Sequence, residues 1–249
     1  MTKWYLFVAL ILCGMAVATD TTITRTYYLN DSYINSGEAT TNYDMVDTLL
    51  VGAYLPDMTI EKYRTIMGFY TGGANYTGFN DSMDYASSVV ACTLFIKAKS
   101  YGSSTSSTDT FYTDVVIKDW LSGQVTWTQR RTDTDWTTAG CGSDGNDYSS
   151  IWRVKRAPPD TIAGKWYRIP LTVIMDSVVT GNLAKFMAVR IALKTETKGH
   201  SINFYSMNYT GTANDPYMTI TYVYSPPGNF KDTIHGKQNR NGKPNRNGR

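Results

Sequence analysis

Histidine and glutamate are almost missing from this chain. Only His200 and His235 occur, with Glu38, Glu61 and Glu196, in 249 residues. A Ser-His-Asp constellation has one histidine to draw on outside the last stretch, and none of the glutamates sits in a recognisable catalytic motif, so the sequence reads as non-catalytic. Cysteine is sparse too: Cys13, Cys92 and Cys141 offer no CxxC, and no HxxxH accompanies them, which excludes a zinc site. Apart from the first residues there is no apolar run near spanning length, so no membrane span is expected.

The first residues have a different character. Lys3 supplies a positive start, Trp4 to Leu12 an apolar run, and Ala16-Val17-Ala18 a small-residue cleavage site. This is the pattern of a secretory signal peptide over residues 1–18, with a secreted, extracellular mature chain starting at Thr19. Leu12 before Cys13 is bulky where lipidation wants a small residue. In an oxidising compartment the remaining pair, Cys92 and Cys141, points to a disulfide, which by loop-closure entropy would add about 4 kcal/mol. Two free, buried thiols are the alternative.

Charge is unevenly placed. After Pro226-Pro227-Gly228 come Lys231, Lys237, Arg240, Lys243, Arg246 and Arg249 against a single Asp232, more positive charge than the +3 of the whole chain. The rest is therefore net acidic, and nucleic-acid binding by the folded part is not expected. The tail repeats itself, Asn239-Arg-Asn-Gly-Lys243 then Asn245-Arg-Asn-Gly-Arg249. With almost no apolar content it cannot offset the entropy of ordering, so residues 226–249 read as a disordered basic tail.

Between these ends the text is β. Thr21–Leu29, Asp31–Asn35, Asp47–Val51, Tyr63–Tyr70, Phe111–Ile117, Lys165–Ile174, Phe186–Leu193, Ser201–Tyr205 and Tyr217–Val223 are rich in β-branched and aromatic residues. Val89–Lys99 alternates most cleanly, placing Val90, Cys92, Leu94, Ile96 and Ala98 on one face. Thr71–Ser88 is Gly-, Asn-, Asp- and Ser-rich and reads as a mobile excursion between strands. Asp176–Lys185 is the one plausible helical turn. About ten short strands predict a single all-β domain over residues 19–225, a jelly-roll-like β-sandwich with long loops.

One stretch stands apart. Trp120 to Trp152 holds four of the six tryptophans, with Arg130, Arg131 and an Asp/Asn/Gly-rich turn, and it shows no sustained period. A long loop on a rigid scaffold is a binding surface or a packed lid. Indole faces suit the apolar face of a sugar ring, and arginine forks suit carboxylate or sulfate groups. The residues expected to meet a ligand are Trp127, Arg130, Arg131, Trp136, Trp152, Arg153, Lys155 and Arg156. Asp144, Asn146 and Asp147 place oxygen donors on a Gly-bearing turn that suits calcium, the alternative being an Asx-rich turn without an ion. No organic cofactor is implied.

Several of these pieces arrive in a familiar order. Asp31-Ser-Tyr-Ile-Asn-Ser-Gly37, Thr41-Asn-Tyr43 and Asp47-Thr-Leu-Leu-Val-Gly52, then Arg64-Thr-Ile-Met-Gly-Phe69, then Gln124-Val-Thr-Trp127 with Trp136, then Phe204-Tyr-Ser206 and Asp215-Pro-Tyr-Met-Thr-Ile-Thr-Tyr222, run along the chain. This series resembles DNRLRE-type domains, related to family-96 carbohydrate-binding modules, over roughly residues 25–224. The chain departs from that pattern at Asp44, where the family has Gly, and at Asn208, near its closing acidic position. The resemblance implies a non-catalytic β-sandwich of secreted, cell-surface or phage structural proteins, some of which bind polysaccharide, including acidic polysaccharide.

Two functions follow as expectations. The first is a secreted sandwich that binds a polysaccharide or cell-surface glycan, acidic ones included. The second is a structural subunit of an extracellular fibre or matrix, or of a virion surface, that self-associates through the sandwich and the basic tail.

Overall fold

The computed structural model describes residues 20–54, 59–69, 74–157, 161–183, 188–197 and 199–225, with backbone alone at 74–77 and 212. The signal peptide and the basic tail expected at the two ends lie outside the described residues.

In chain order the strands are β1 (Thr21–Tyr28), β2 (Asn30–Asn35), β3 (Thr48–Tyr54), β4 (Glu61–Gly68), β5 (Ala86–Tyr101), β6 (Phe111–Val116), β7 (Gln129–Arg131), β8 (Thr134–Asp135), β9 (Tyr148–Arg156), β10 (Trp166–Pro170), β11 (Ala188–Leu193), β12 (Ser201–Tyr205) and β13 (Tyr217–Tyr224). Two helices, α1 (Ala74–Asp84) and α2 (Thr172–Val179), join them. All but β7 and β8 belong to one antiparallel sheet in the order β1-β13-β5-β12-β3-β4-β11-β6-β9, with β10 on β5 and β2 on β4. The sheet curls so that its two halves face each other as a sandwich. Met218 and Ile220 of β13 and Leu94 and Ile96 of β5 meet Val189 and Ile191 of β11, Val115 of β6 and Phe204 of β12 in one core. The expected all-β sandwich is the fold.

Strand β5 joins the two halves. Its first part pairs with β13 and β10, and its last residues pair with β12. Cys92, Leu94, Ile96 and Ala98 point inward as the period-two pattern predicts, but Val90 does not: it is 56% exposed, while Val89 is buried. The reason is a bulge. Thr221 pairs with Ala91 and Tyr222 with Val89, so Val90 is the extra residue that inverts the alternation.

Two local expectations change. The segment read as a mobile excursion folds as α1, because Phe79 and Met83, four residues apart, lie on one helix face and bury in the main core. Phe79 stacks on Phe69 at 4.7 Å and meets Tyr27 edge-on at 5.7 Å. The second helix starts earlier than expected, at Thr172, where Ile174, Met175 and Val178 face the core.

The disulfide does not form. Cys92 and Cys141 are both free and buried, Cys92 in the main core and Cys141 in a separate apolar cluster on the outer side of the sheet. Burial in apolar surroundings raises both thiols, Cys141 to about 12, so neither offers thiolate for exchange. Alkylation followed by mass spectrometry should find both thiols unreactive in the native protein and both modified after unfolding. Reductant should leave Tm unchanged; a reductant-dependent fall would restore the bond.

Candidate functional site

An ordinary sandwich strand buries alternate residues. Every residue of β11 is buried, and so are five of the six in β6. One face of these strands makes the main core, and the other is covered by the tryptophan-rich stretch. Trp120, Val125, Trp136 and Cys141 pack on Ile34, Ile66, Val116 and Ala188, with Trp127 and Tyr148 at the margin. The stretch is thus a lid with its own small core, held on the outside of the sheet.

Arginines rising from the covered face fix this lid. Arg64 of β4 donates to both oxygens of Glu196 at 2.8 and 2.9 Å and to the Gly140 carbonyl at 2.6 Å, with its guanidinium 4.9 Å over the Trp127 ring. Gly140 has φ +78°, and a Cβ there would sit 2.6 Å from the Trp127 ring, so the position needs glycine twice over. Arg190 of β11 donates to Asp114 at 2.7 Å and to the Cys141 carbonyl at 2.9 Å, and lies 3.6 Å over the Tyr148 ring. Asp114 is fully buried and also takes two bonds from Arg153, at 2.6 and 3.1 Å.

The residues expected to face a ligand are therefore mostly committed elsewhere. Trp136 is 4% exposed and donates its indole N–H to the Thr126 carbonyl at 3.1 Å. Trp152 packs against the main core, and Trp127 lies under Arg64. Arg130 and Arg131 both pair with Asp119. Arg153 is tied to Asp114 and lies over Tyr112, which Lys155 also approaches, at 6.0 Å. Of the whole set, Lys155 and Arg156 are exposed. The clustering in sequence reflects packing: large aromatic rings fill a lid, and buried charges need partners.

The oxygen donors expected to hold calcium are also engaged. The Asp147 carboxylate accepts backbone N–H groups from Thr137, Thr138 and Ser143 at 2.8–3.1 Å. Burial pushes its pKa up, but these three donors outweigh that and hold it below the ordinary value. Asp144 takes the hydroxyl and N–H of Ser150, and Asn146 donates to Ser143. The turn is thus closed by its own Asx bonds, and among the described residues no group of three or more acidic, His or Cys side chains converges as a metal site.

Exposed and half-buried rings and cations gather on the other half, on the outward face of β13, β5, β10 and β12. Cross-strand partners there form a row, Tyr28 to Tyr217 to Phe95 to Arg168. Phe95 and Tyr217 stack at 4.7 Å and 10°, Trp166 meets Tyr217 at 5.7 Å, and the Arg168 guanidinium lies 5.8 Å over Phe95. Beside this row Lys97 sits between Trp166 and Tyr205, at 5.7 and 6.0 Å. Lys99 sits between Tyr205 and Tyr209, at 5.7 and 5.2 Å. Lys97 also bonds Asn214 and Lys99 bonds Thr48, both neutral. Among the described residues none of Lys97, Lys99 and Arg168 has a carboxylate partner.

The result is a surface of aromatic rings interleaved with three cations that have no carboxylate partner among the described residues. The sequence carried one usable signal for it: Phe95, Lys97 and Lys99 are the outward half of the same alternation that buries Leu94, Ile96 and Ala98. Neither a comparison with protein-family models nor one with curated proteins finds a match to this sequence.

Proposed function

We propose that this chain is a non-catalytic, secreted β-sandwich that binds polysaccharide, and that the ligand is an acidic glycan held on the outward face of β13, β5, β10 and β12. The observation that supports this most is the pairing of exposed and half-buried rings with cations that lack carboxylates. A pyranose presents an apolar face to Trp166 and Tyr205, while its carboxylate or sulfate groups meet Lys97, Lys99 and Arg168. A face that spans several strands suits an extended polymer better than a single sugar. The DNRLRE-type resemblance points to the same ligand class, with the surface moved away from the tryptophan-rich lid.

Affinity electrophoresis through gels holding polygalacturonate, chondroitin sulfate or a neutral glucan tests the reading. The acidic polymers should retard the protein and the neutral one should not. Lys97→Ala with Arg168→Ala should weaken retardation at least tenfold and lower its sensitivity to salt. Trp166→Ala should weaken it with salt sensitivity unchanged, and Arg130→Ala with Arg131→Ala should have no effect. Retardation lost in the last variant alone would return the site to the lid.

A further inference from the structure

A second aromatic surface, of opposite charge, lies where β12, β3 and β4 follow one another in the same sheet. Leu50, Tyr54, Tyr63, Ser201 and Asn203 line a groove of about 220 Å³. Tyr63 connects it to a tyrosine stack: Tyr33 meets Tyr63 edge-on at 6.0 Å and stacks on Tyr43 at 4.1 Å. Two carboxylates border these rings. Tyr63 donates its hydroxyl to Glu61 at 2.7 Å, and Tyr43 donates its hydroxyl to Glu38. A side chain at Gly37 would collide with Glu61, 2.2 Å from its Cδ, so the glutamate is laid along the surface and held there.

The local field is anionic. Among the described residues neither Glu38 nor Glu61 has an ion-pair partner. Burial first pushes the Tyr33 and Tyr63 phenols above their ordinary range, followed for Tyr33 by Tyr43 and then Glu38 and Glu61, and for Tyr63 by Glu61. Ring faces beside uncompensated carboxylates suit a guanidinium or an ammonium group, which stacks on the one and pairs with the other.

The chain carries such a ligand itself. Residues 226–249 hold six cations, and the repeat Asn239-Arg-Asn-Gly-Lys243, Asn245-Arg-Asn-Gly-Arg249 spaces them among small polar residues. Distance favours another copy as the receiver. The tail leaves after Tyr224, which pairs with Ala86 at one end of β5, whereas the groove strand β12 pairs with Tyr101 at the other end. That is about 50 Å along the strand at about 3.3 Å per residue. A coil of the tail's length spans on average about 27 Å.

We infer that the basic tail of one copy docks in the tyrosine–glutamate groove of another. The contact joins different surfaces of the two copies: two copies that exchange tails close as a dimer, and copies that pass the tail on form chains of subunits. It uses residues other than those of the glycan face, although β12 carries both, with Tyr205 on the glycan side and Ser201 and Asn203 in the groove, and it gives the structural-subunit reading a specific contact.

Sedimentation velocity of the full chain, without glycan and over a hundredfold range of concentration, tests this. Dimers and larger species should grow with concentration at low salt and dissociate at high salt. Removing residues 226–249 should abolish them, and Glu38→Gln with Glu61→Gln should weaken association at least tenfold. Because Glu61 also accepts a bond from Asn35, Arg240→Glu with Arg246→Glu gives the same readout without touching the folded part. A mixture of the tail-deleted and groove variants should form heterodimers and nothing larger. A monomer at every concentration would overturn the inference, as would association that survives the groove or the tail substitutions.

Discussion

Replacing Asp114 by Ala should destabilise the fold by about 3–5 kcal/mol, the range for breaking a buried ion pair from one side. Asp114 is fully buried and serves two arginines at once, and Arg190 beside it is 6% exposed. With the carboxylate gone, Arg190 keeps its bond to the Cys141 carbonyl but retains a buried charge with no counter-ion. Against a typical total of about 5–15 kcal/mol, that leaves a marginal protein. The loss should show in urea unfolding, and the lid tryptophans, Trp120 and Trp136, should shift to the red as their cluster opens. The double variant Asp114→Leu with Arg190→Met should recover most of the loss, since an apolar pair removes both the charge and its need for a partner. Asp119→Ala is the control. Asp119 is 29% exposed, and its pairs with Arg130 and Arg131 are worth about 1 kcal/mol or less. Equal losses in the two variants would mean that Asp114 is not the anchor.

This network also marks the limit of what the sequence shows. Strand period and β-branched composition identify a sandwich because burial on one face imposes a period of two, and Cys92, Leu94, Ile96 and Ala98 follow it. The rule fails where a second layer covers the sheet. Ala188-Val-Arg-Ile-Ala-Leu193 is buried on both faces, and Arg190 sits in it as an anchor rather than an edge charge. In α1 the burial of Phe79 and Met83 outweighs the weak helix propensity of the Asn and Gly around them. The site was hidden for a related reason. Four tryptophans close together in sequence attract attention, yet Trp120, Trp127 and Trp136 share the lid cluster and Trp152 packs against the main core. Lys97, Trp166, Tyr205 and Tyr217 come from four strands spread over more than a hundred positions, and only the strand pairing makes them a surface.

Stability should fall as pH rises from about 4 to about 7, opposite to the usual behaviour of paired carboxylates, and Asp31 is the cause. Its side chain is fully buried, accepting bonds from the Ser206 hydroxyl at 2.8 Å and the Met207 N–H at 2.9 Å. Burial outweighs these bonds and, with the nearby carboxylates Asp44 and Asp215, pushes the pKa up to about 7. In the unfolded chain an aspartate titrates near about 3.9. The folded state therefore holds a proton that the unfolded state has released, so the contribution is complete below about pH 4 and lost by about pH 7, a difference on the order of 3 kcal/mol. Asp215, also raised by burial, adds in the same direction, and its Oδ1 is buried without a hydrogen-bond partner among the described residues. Asn at position 31 mimics the protonated acid: it accepts the Met207 N–H and donates to the Ser206 hydroxyl. Asp31→Asn should thus be close to neutral at pH 4.5 and raise stability at pH 8, flattening most of the fall between them. Chemical denaturation at the two pH values reads this directly. A wild-type protein more stable at pH 8 than at pH 4.5, or an Asp31→Asn variant with the wild-type pH dependence, would show that the buried carboxyl is ionised in the fold and that its two hydrogen bonds, rather than burial, set its charge.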